Sequence, residues 1–183
     1  KTGLLVTTLS GHSGPLQSAV FNSVGDRVVT ASWDSTAKIW DANTGSLVAT
    51  LKGHRGYVES ALFNSVGDKI VTASRDSTAR LWDARTGKLI ATMTGHRSSI
   101  KSAVFNRAGD RVVTASLDNT ARIWDAATGW LVAFLDVRTN WVFSAAFNDV
   151  GDRVVTVGGA EGKAKIWDAT TGELLLILDG HRG

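Results

Sequence analysis

The sequence predicts an all-β chain built from four copies of one small sheet, each copy a four-stranded antiparallel meander. Three observations predict it. Tryptophans at 40, 82, 124 and 167 are each followed by aspartate, at intervals of 42, 42 and 43 residues. Residues 13–54 and 55–96 are identical at 27 of 42 aligned positions. Each unit carries short runs rich in β-branched residues, separated by Gly, Asn and Asp turns.

In the first unit the predicted strands are LQSAVFN (16–22), RVVTAS (27–32), TAKIWD (36–41) and SLVATL (46–51). The SVGDR junction places Gly25 where a hairpin needs a positive φ, and ANTGS does the same with Gly45. The runs AVF, VVTA and KIW are apolar on both faces of the strand, the pattern of a sheet sandwiched between two others. A unit of about 42 residues cannot bury two apolar faces alone, so it stacks on copies of itself, and radial stacking gives a propeller. The units run 13–54, 55–96, 97–138 and 139–181, preceded by the outer strand of a further unit at 1–12.

The order GH, FNSVGD hairpin, Asp, then WD resembles the WD-repeat β-propeller family, with FNSVGD in place of the more usual F-S-P-D-G. The resemblance covers essentially the whole chain and implies four blades, half of an eight-bladed ring. It also implies a hydrogen-bonded tetrad in each blade. Matched residue by residue, these are His12, Thr30, Asp34 and Trp40; His54, Thr72, Asp76 and Trp82; and His96, Thr114, Asp118 and Trp124. The fourth unit departs from the pattern. Val137 and Arg138 stand where GH is expected, and the turn VGGAEGKAKIWD carries one extra residue, with Glu161 replacing the Asp while Thr156 and Trp167 remain.

A hydroxyl, a carboxylate and an imidazole are the parts of a charge-relayed nucleophile, but one catalytic centre needs only one set. Three sets at one spacing describe architecture. Chaining indole to hydroxyl to imidazole to carboxylate satisfies four groups that would each be costly to bury unpaired. The chain is therefore expected to be no enzyme. With no cysteine, it has no disulfide and no thiolate metal site, and no metal or cofactor is expected. A cytoplasmic location is the expectation. No apolar run approaches the length of a membrane span, so no membrane partner is expected. The net charge is +3 and the pI about 9.4. Much of that charge is dealt evenly around the repeats, at Arg27, Lys69, Arg111 and Arg153 and at Lys38, Arg80, Arg122 and Lys165. That spacing argues for a solvated face and against a nucleic-acid groove.

The units differ at a few places that in such propellers face the central opening. These are Pro15, Gln17 and Trp33; Tyr57, Glu59 and Arg75; Ser99, Lys101 and Leu117; and Trp141, Phe143 and Ala160. Aromatics beside Arg and Lys are the composition of a protein-binding surface, suited to a peptide with aromatic or acidic side chains. Three functions fit these residues: a protein-interaction scaffold or sensor, a glycan-binding propeller using Trp33 and Trp141 as platforms, and an engineered or excised fragment that only self-assembles. TGLLVTTLSGH at the start and TGELLLILDGH at the close both match the outer strand TGSLVATLKGH. Four sets of inner strands are thus accompanied by five outer ones. Two chains would bring eight blades and close a homodimeric ring, with one outer strand per chain left over.

Overall fold

The computed structural model describes residues 3–138, 141–159 and 162–179. Sixteen strands form four separate antiparallel sheets, each in chain order. Blade 1 holds β1 (Leu16–Phe21), β2 (Arg27–Ser32), β3 (Ala37–Asp41) and β4 (Leu47–Leu51). Blade 2 holds β5 (Val58–Phe63), β6 (Lys69–Ser74), β7 (Ala79–Asp83) and β8 (Leu89–Met93). Blade 3 holds β9 (Ile100–Phe105), β10 (Arg111–Ser116), β11 (Thr120–Asp125) and β12 (Leu131–Asp136). Blade 4 holds β13 (Ser144–Phe147), β14 (Arg153–Val157), β15 (Lys163–Asp168) and β16 (Leu174–Asp179).

The two-residue alternation of the strands decides how the blades stack. In β2 and β3, Val29, Ala31, Ala37 and Ile39 point to one face, the back, and with Leu51 they are wholly buried. They form one cluster with Val58, Ala61, Ile70, Trp82 and Ala84 on the front of blade 2. The same cluster recurs between blades 2 and 3, around Leu81, Met93, Ile100 and Trp124, and between blades 3 and 4, around Ile123, Leu135, Val142 and Trp167. The innermost strands β1, β5, β9 and β13 are neighbours in turn, so the blades fan out from a shared inner edge. Small Ala31, Ala73 and Ala115 let adjacent sheets approach closely, while the branched residues fill the space between them.

Three interfaces leave two blade faces over. On the front of blade 1, Leu16 is 52% and Phe21 62% exposed, whereas Val58, the counterpart of Leu16 in blade 2, is 0% exposed. On the back of blade 4, Val157 is 42% and Leu178 45% exposed, whereas Ala115 and Leu51 at the same repeat positions are at 0%. The residues are of one type and only their surroundings differ.

The start of the chain corrects an expectation. Residues 3–12 form no strand, although they match an outer strand in sequence. The reason is the missing ladder: among the described residues no inner strand lies beside them. The segment nevertheless occupies the outer-strand position against blade 1. Thr7 sits over Gly45 as Ala49 sits over Gly87 and Ala91 over Gly129, and the Gly11 backbone lies against the buried Trp40 ring.

Candidate functional site

A buried four-group polar chain recurs in blades 1 to 3. The hairpin register sets Val28 opposite Trp40 and Thr30 opposite Lys38, so the Trp and Thr side chains share the front face two residues apart across the ladder. In blade 1 the Trp40 indole N–H donates to Thr30 Oγ1 at 2.8 Å, Thr30 Oγ1 lies 2.8 Å from His12 Nε2, and His12 Nδ1 lies 2.7 Å from Asp34 Oδ2. Blades 2 and 3 repeat it through Trp82, Thr72, His54 and Asp76 and through Trp124, Thr114, His96 and Asp118, with every link between 2.7 and 2.9 Å. A neutral histidine with its proton on Nδ1 satisfies the chain: it donates to the aspartate and accepts the threonine proton.

The aspartate also closes its own turn. Asp34 accepts the amides of Ser13 and Thr36 and the Thr36 hydroxyl. Burial alone would raise its pKa, but these bonds and the one from His12 outweigh burial and hold the carboxyl at about 2. Asp76 and Asp118 are depressed further, their burial likewise outweighed by hydrogen bonds from His54 and Thr78 and from His96 and Thr120. Burial lowers the pKa of His96 despite Asp118 beside it, which keeps the ring neutral. Thr30, Thr72 and Thr114 are at most 1% exposed, so no substrate reaches their hydroxyls. The arrangement braces three strands and a loop and has no free nucleophile.

In blade 4 only half of the chain is present among the described residues. The Trp167 indole donates to Thr156 Oγ1 at 2.9 Å. Arg138, at the histidine position, turns out to solvent and pairs with Asp136 at 2.9 Å, while Val137 is buried in the cluster against blade 3. Glu161 and Ala160 lie outside the described residues.

The variable positions gather in pairs for a structural reason. The amide of Trp33 donates to Pro15 O, that of Arg75 to Tyr57 O and that of Leu117 to Ser99 O, joining the loop after each histidine to the turn before each aspartate. Gln17, Glu59 and Lys101 are the extra residues of β-bulges, where the register slips between Leu16 and Ser18, Val58 and Ser60, and Ile100 and Ser102. A bulge frees one residue from the ladder and re-aims its side chain. Sequence periodicity located these positions but not the bulge, because one unpaired residue in a strand leaves no compositional mark.

Trp33 and Tyr57 stack at 4.9 Å with planes 5° apart, and the Arg75 guanidinium lies 5.0 Å from the Tyr57 ring and 5.7 Å from that of Trp33. Trp141 and Phe143 meet edge to face at 6.3 Å. The expected cationic character is reduced, which is a correction. Glu59 pairs with both Arg75 and Lys101, the latter at 2.8 Å, and these partners lower its pKa against the effect of burial. An open cleft of about 310 Å³ lies beside this rim, lined by Phe143, Val157, Gly158, Gly159, Gly162, Lys163 and Ala164. Its floor is the back of blade 4, since Val157 and Ala164 stand where Ala115 and Ala121 are buried under the next blade. The cleft is therefore part of the uncovered face.

The WD-repeat model described as "WD domain, G-beta repeat" matches residues 3–41, 45–83, 87–125 and 129–168. The chain belongs to the WD40 repeat family. Its matches take each unit from the outer strand to the WD pair. Over 41 residues the chain is 51% identical to a periodic tryptophan protein 2 homolog from Schizosaccharomyces pombe and 44% identical to one from Mus musculus. Those stretches are 22% of this chain and only 5% and 4% of the relatives' lengths. Among solved structures, the computationally designed Ika8 protein superposes with a TM-score of 0.86 at 30% identity, over 98% of this chain and 54% of that one. The WD40 chain thus spans about half the length of the designed protein it matches. Among the described residues no helix is long and apolar enough to cross a membrane, and no cluster of His, Asp or Glu could hold a metal ion.

Proposed function

We propose that this WD40 chain is a non-catalytic interaction scaffold that builds its own ring, two copies joining end to end so that blade 4 of each packs on blade 1 of the other. One observation carries the reading. The exposed Leu16, Ala19 and Phe21 repeat Val58, Ala61 and Phe63, and the exposed Val157 and Leu178 repeat Ala115 and Leu135, so each free face is the missing half of an interface the chain already makes three times. Leaving such faces wet costs roughly 25 cal/mol per Å² of apolar area, which supplies the drive. Rings of this architecture hold about 4 to 8 blades. The extent of the match to Ika8 agrees with a chain that needs a second copy of itself. Light scattering behind a sizing column tests this: the expected mass is near twice 19.4 kDa at micromolar concentration, and a monomer would overturn it.

The ring would present a rim for a peptide or protein partner, built from the Trp33, Tyr57 and Arg75 stack and the Trp141 and Phe143 pair. Trp33 stacks on Tyr57 with the Arg75 guanidinium 5.7 Å from its ring, contacts that favour this over a glycan platform at Trp33, which needs an aromatic face left free. With Glu59 between Arg75 and Lys101, those three residues carry one net positive charge, so the partner is read chiefly through apolar contact.

A further inference from the structure

Lys38, Arg80, Arg122 and Lys165 occupy one repeat position, two residues before each Trp-Asp pair, but their surroundings differ. Lys38 donates to Thr50 Oγ1 at 3.0 Å, and Lys165 donates to the Val137 carbonyl. Arg80 and Arg122 instead have a buried Nε with no hydrogen-bond partner among the described residues. Blade 3 adds an aromatic ring. Phe134 faces Arg122 across the β11 and β12 ladder, where Thr50, Thr92 and Ile177 face Lys38, Arg80 and Lys165. We propose that Arg97, Arg122 and Phe134 form a receptor for a carboxylate on a short aliphatic stem, the side chain of a glutamate in a partner peptide. The site lies within one chain, so it holds whether or not a ring closes.

The groups converge on a cleft of about 240 Å³ lined by Arg97, Asp118, Thr120, Arg122 and Phe134. Phe134 belongs to β12, the outermost strand of its blade, so the cleft is apart from the Trp33 and Tyr57 stack. Arg122 is held in place before any ligand arrives. Its guanidinium lies 5.3 Å from the Phe134 ring and 6.0 Å from that of Trp124. A Cβ built on Gly95 would run into Arg122 Nη1, and Gly95 has a φ of 135°, so a backbone suited to glycine makes the room for the cation. A guanidinium already clamped this way loses little freedom when a ligand binds it. Blade 2 repeats the charges with Arg55, Arg80 and Asp76, but Thr92 there supplies neither the clamp nor an apolar wall.

Charge selects the ligand. Two guanidiniums and one carboxylate line the cleft, which leaves one positive charge. Asp118 has little left to offer Arg97 or Arg122: its Oδ2 accepts from His96 Nδ1 and the Arg97 amide, and its Oδ1 accepts the amide and hydroxyl of Thr120. Burial lowers the pKa of Arg122, Asp118 opposes that and Arg97 adds to it, as two neighbouring cations do. A single carboxylate therefore brings the cleft to neutrality through charge-assisted bonds to the guanidiniums. A phosphate dianion would exceed that charge and stand beside Asp118. Phe134, 46% exposed, gives the methylenes of the stem an apolar wall, and an apolar wall with a few convergent polar groups is the usual make-up of a ligand site.

Capped amino acids probe the site in the unaltered chain. Titration of the isotope-labelled protein with N-acetyl-glutamate amide, followed by NMR at the Arg122 Nε–H signal, should saturate, and the isosteric N-acetyl-glutamine amide should bind about tenfold more weakly. Arg97→Gln and Phe134→Thr, the latter installing the residue of blade 2, should each weaken the glutamate probe by a similar factor, while Arg55→Gln should leave its binding unchanged. Inorganic phosphate and free glutarate should bind no more tightly than the capped glutamate. Equal binding of the glutamine probe, or undiminished binding by Arg97→Gln and Phe134→Thr, overturns the carboxylate site. Tighter binding of phosphate overturns the ligand class, and tighter binding of glutarate overturns a peptide as its source.

Discussion

Blades 2 and 4 are copies of one unit that the molecule treats differently. Blade 2 is covered on both faces and carries the complete Trp82, Thr72, His54 and Asp76 chain. Blade 4 is covered on one face and, among the described residues, keeps only the Trp167 to Thr156 bond, yet its four strands pair in the same order. The difference separates two roles. Stacking and hairpin geometry make the sheet, while the polar chain fixes the loop after the preceding outer strand to the sheet that follows. Where the chain is broken, the loop takes other contacts: Arg138 and Trp141 have φ of 53° and 64°, and Trp141 is held by its amide on Asn119 Oδ1 at 2.7 Å.

The sharpest way to break this comparison is to place one charge at equivalent sites. Ala61→Arg buries a guanidinium without a partner between blades 1 and 2 and should cost more than about 4 kcal/mol in denaturant unfolding, or leave the chain insoluble. Ala19→Arg, on the free front of blade 1, should cost less than about 1 kcal/mol in the monomer. Equal losses would mean that the front of blade 1 is not open.

Removing a member of the polar chain is the next largest effect. Asp76→Ala strands the His54 N–H and the turn amides and should lower unfolding free energy by about 1 to 3 kcal/mol, whereas Arg138→Ala in blade 4 should change it by less than about 0.5 kcal/mol. Matching denaturant midpoints would show that the complete chain adds nothing to blade 2.

Acid should act on the complete blades in two windows. The folded-state pKa of His96 lies below its ordinary 6.5, so the unfolded chain binds the proton first, and stability falls as pH drops from 6.5 toward the lowered value. For Asp34 the stabilisation is full above 3.8 and is lost as pH falls toward about 2. Denaturant midpoints at pH 7 and pH 5 should differ in the parent and differ less in His96→Asn. An unchanged pH dependence in that variant would place the proton uptake elsewhere.

The smallest expected effect on folding is at the rim. Trp141→Ala or Phe143→Ala should lower the unfolding free energy by no more than about 1 kcal/mol, because no position shared by the repeats is touched, while weakening a partner held at this rim by about 2 kcal/mol in calorimetry. If these variants unfold instead, the pair is packing and the rim is not a binding surface.

The all-β meander, its four copies and the hairpin turns were legible because they rest on local chemistry repeated four times, such as glycine at a positive φ and Val and Ile at alternating positions. The polar residues that meet in the core were legible only as repeated letters, and their distances came from strand register. Three features were not legible. The bulges at Gln17, Glu59 and Lys101 depend on how β1, β5 and β9 meet their neighbours. The neutralising position of Glu59 depends on two residues from different turns, Arg75 and Lys101. The unpaired state of residues 3–12 depends on what lies beside them, which their own sequence does not encode.

The central claim is that the two exposed faces are halves of one interface. The most direct measurement is the solution mass of the parent and of Ala19→Arg, side by side across a concentration series, with circular dichroism to show that both are folded. The account predicts a parent near twice 19.4 kDa and a folded, monomeric variant. A monomeric parent, or a variant that dimerises as tightly as the parent, would contradict it.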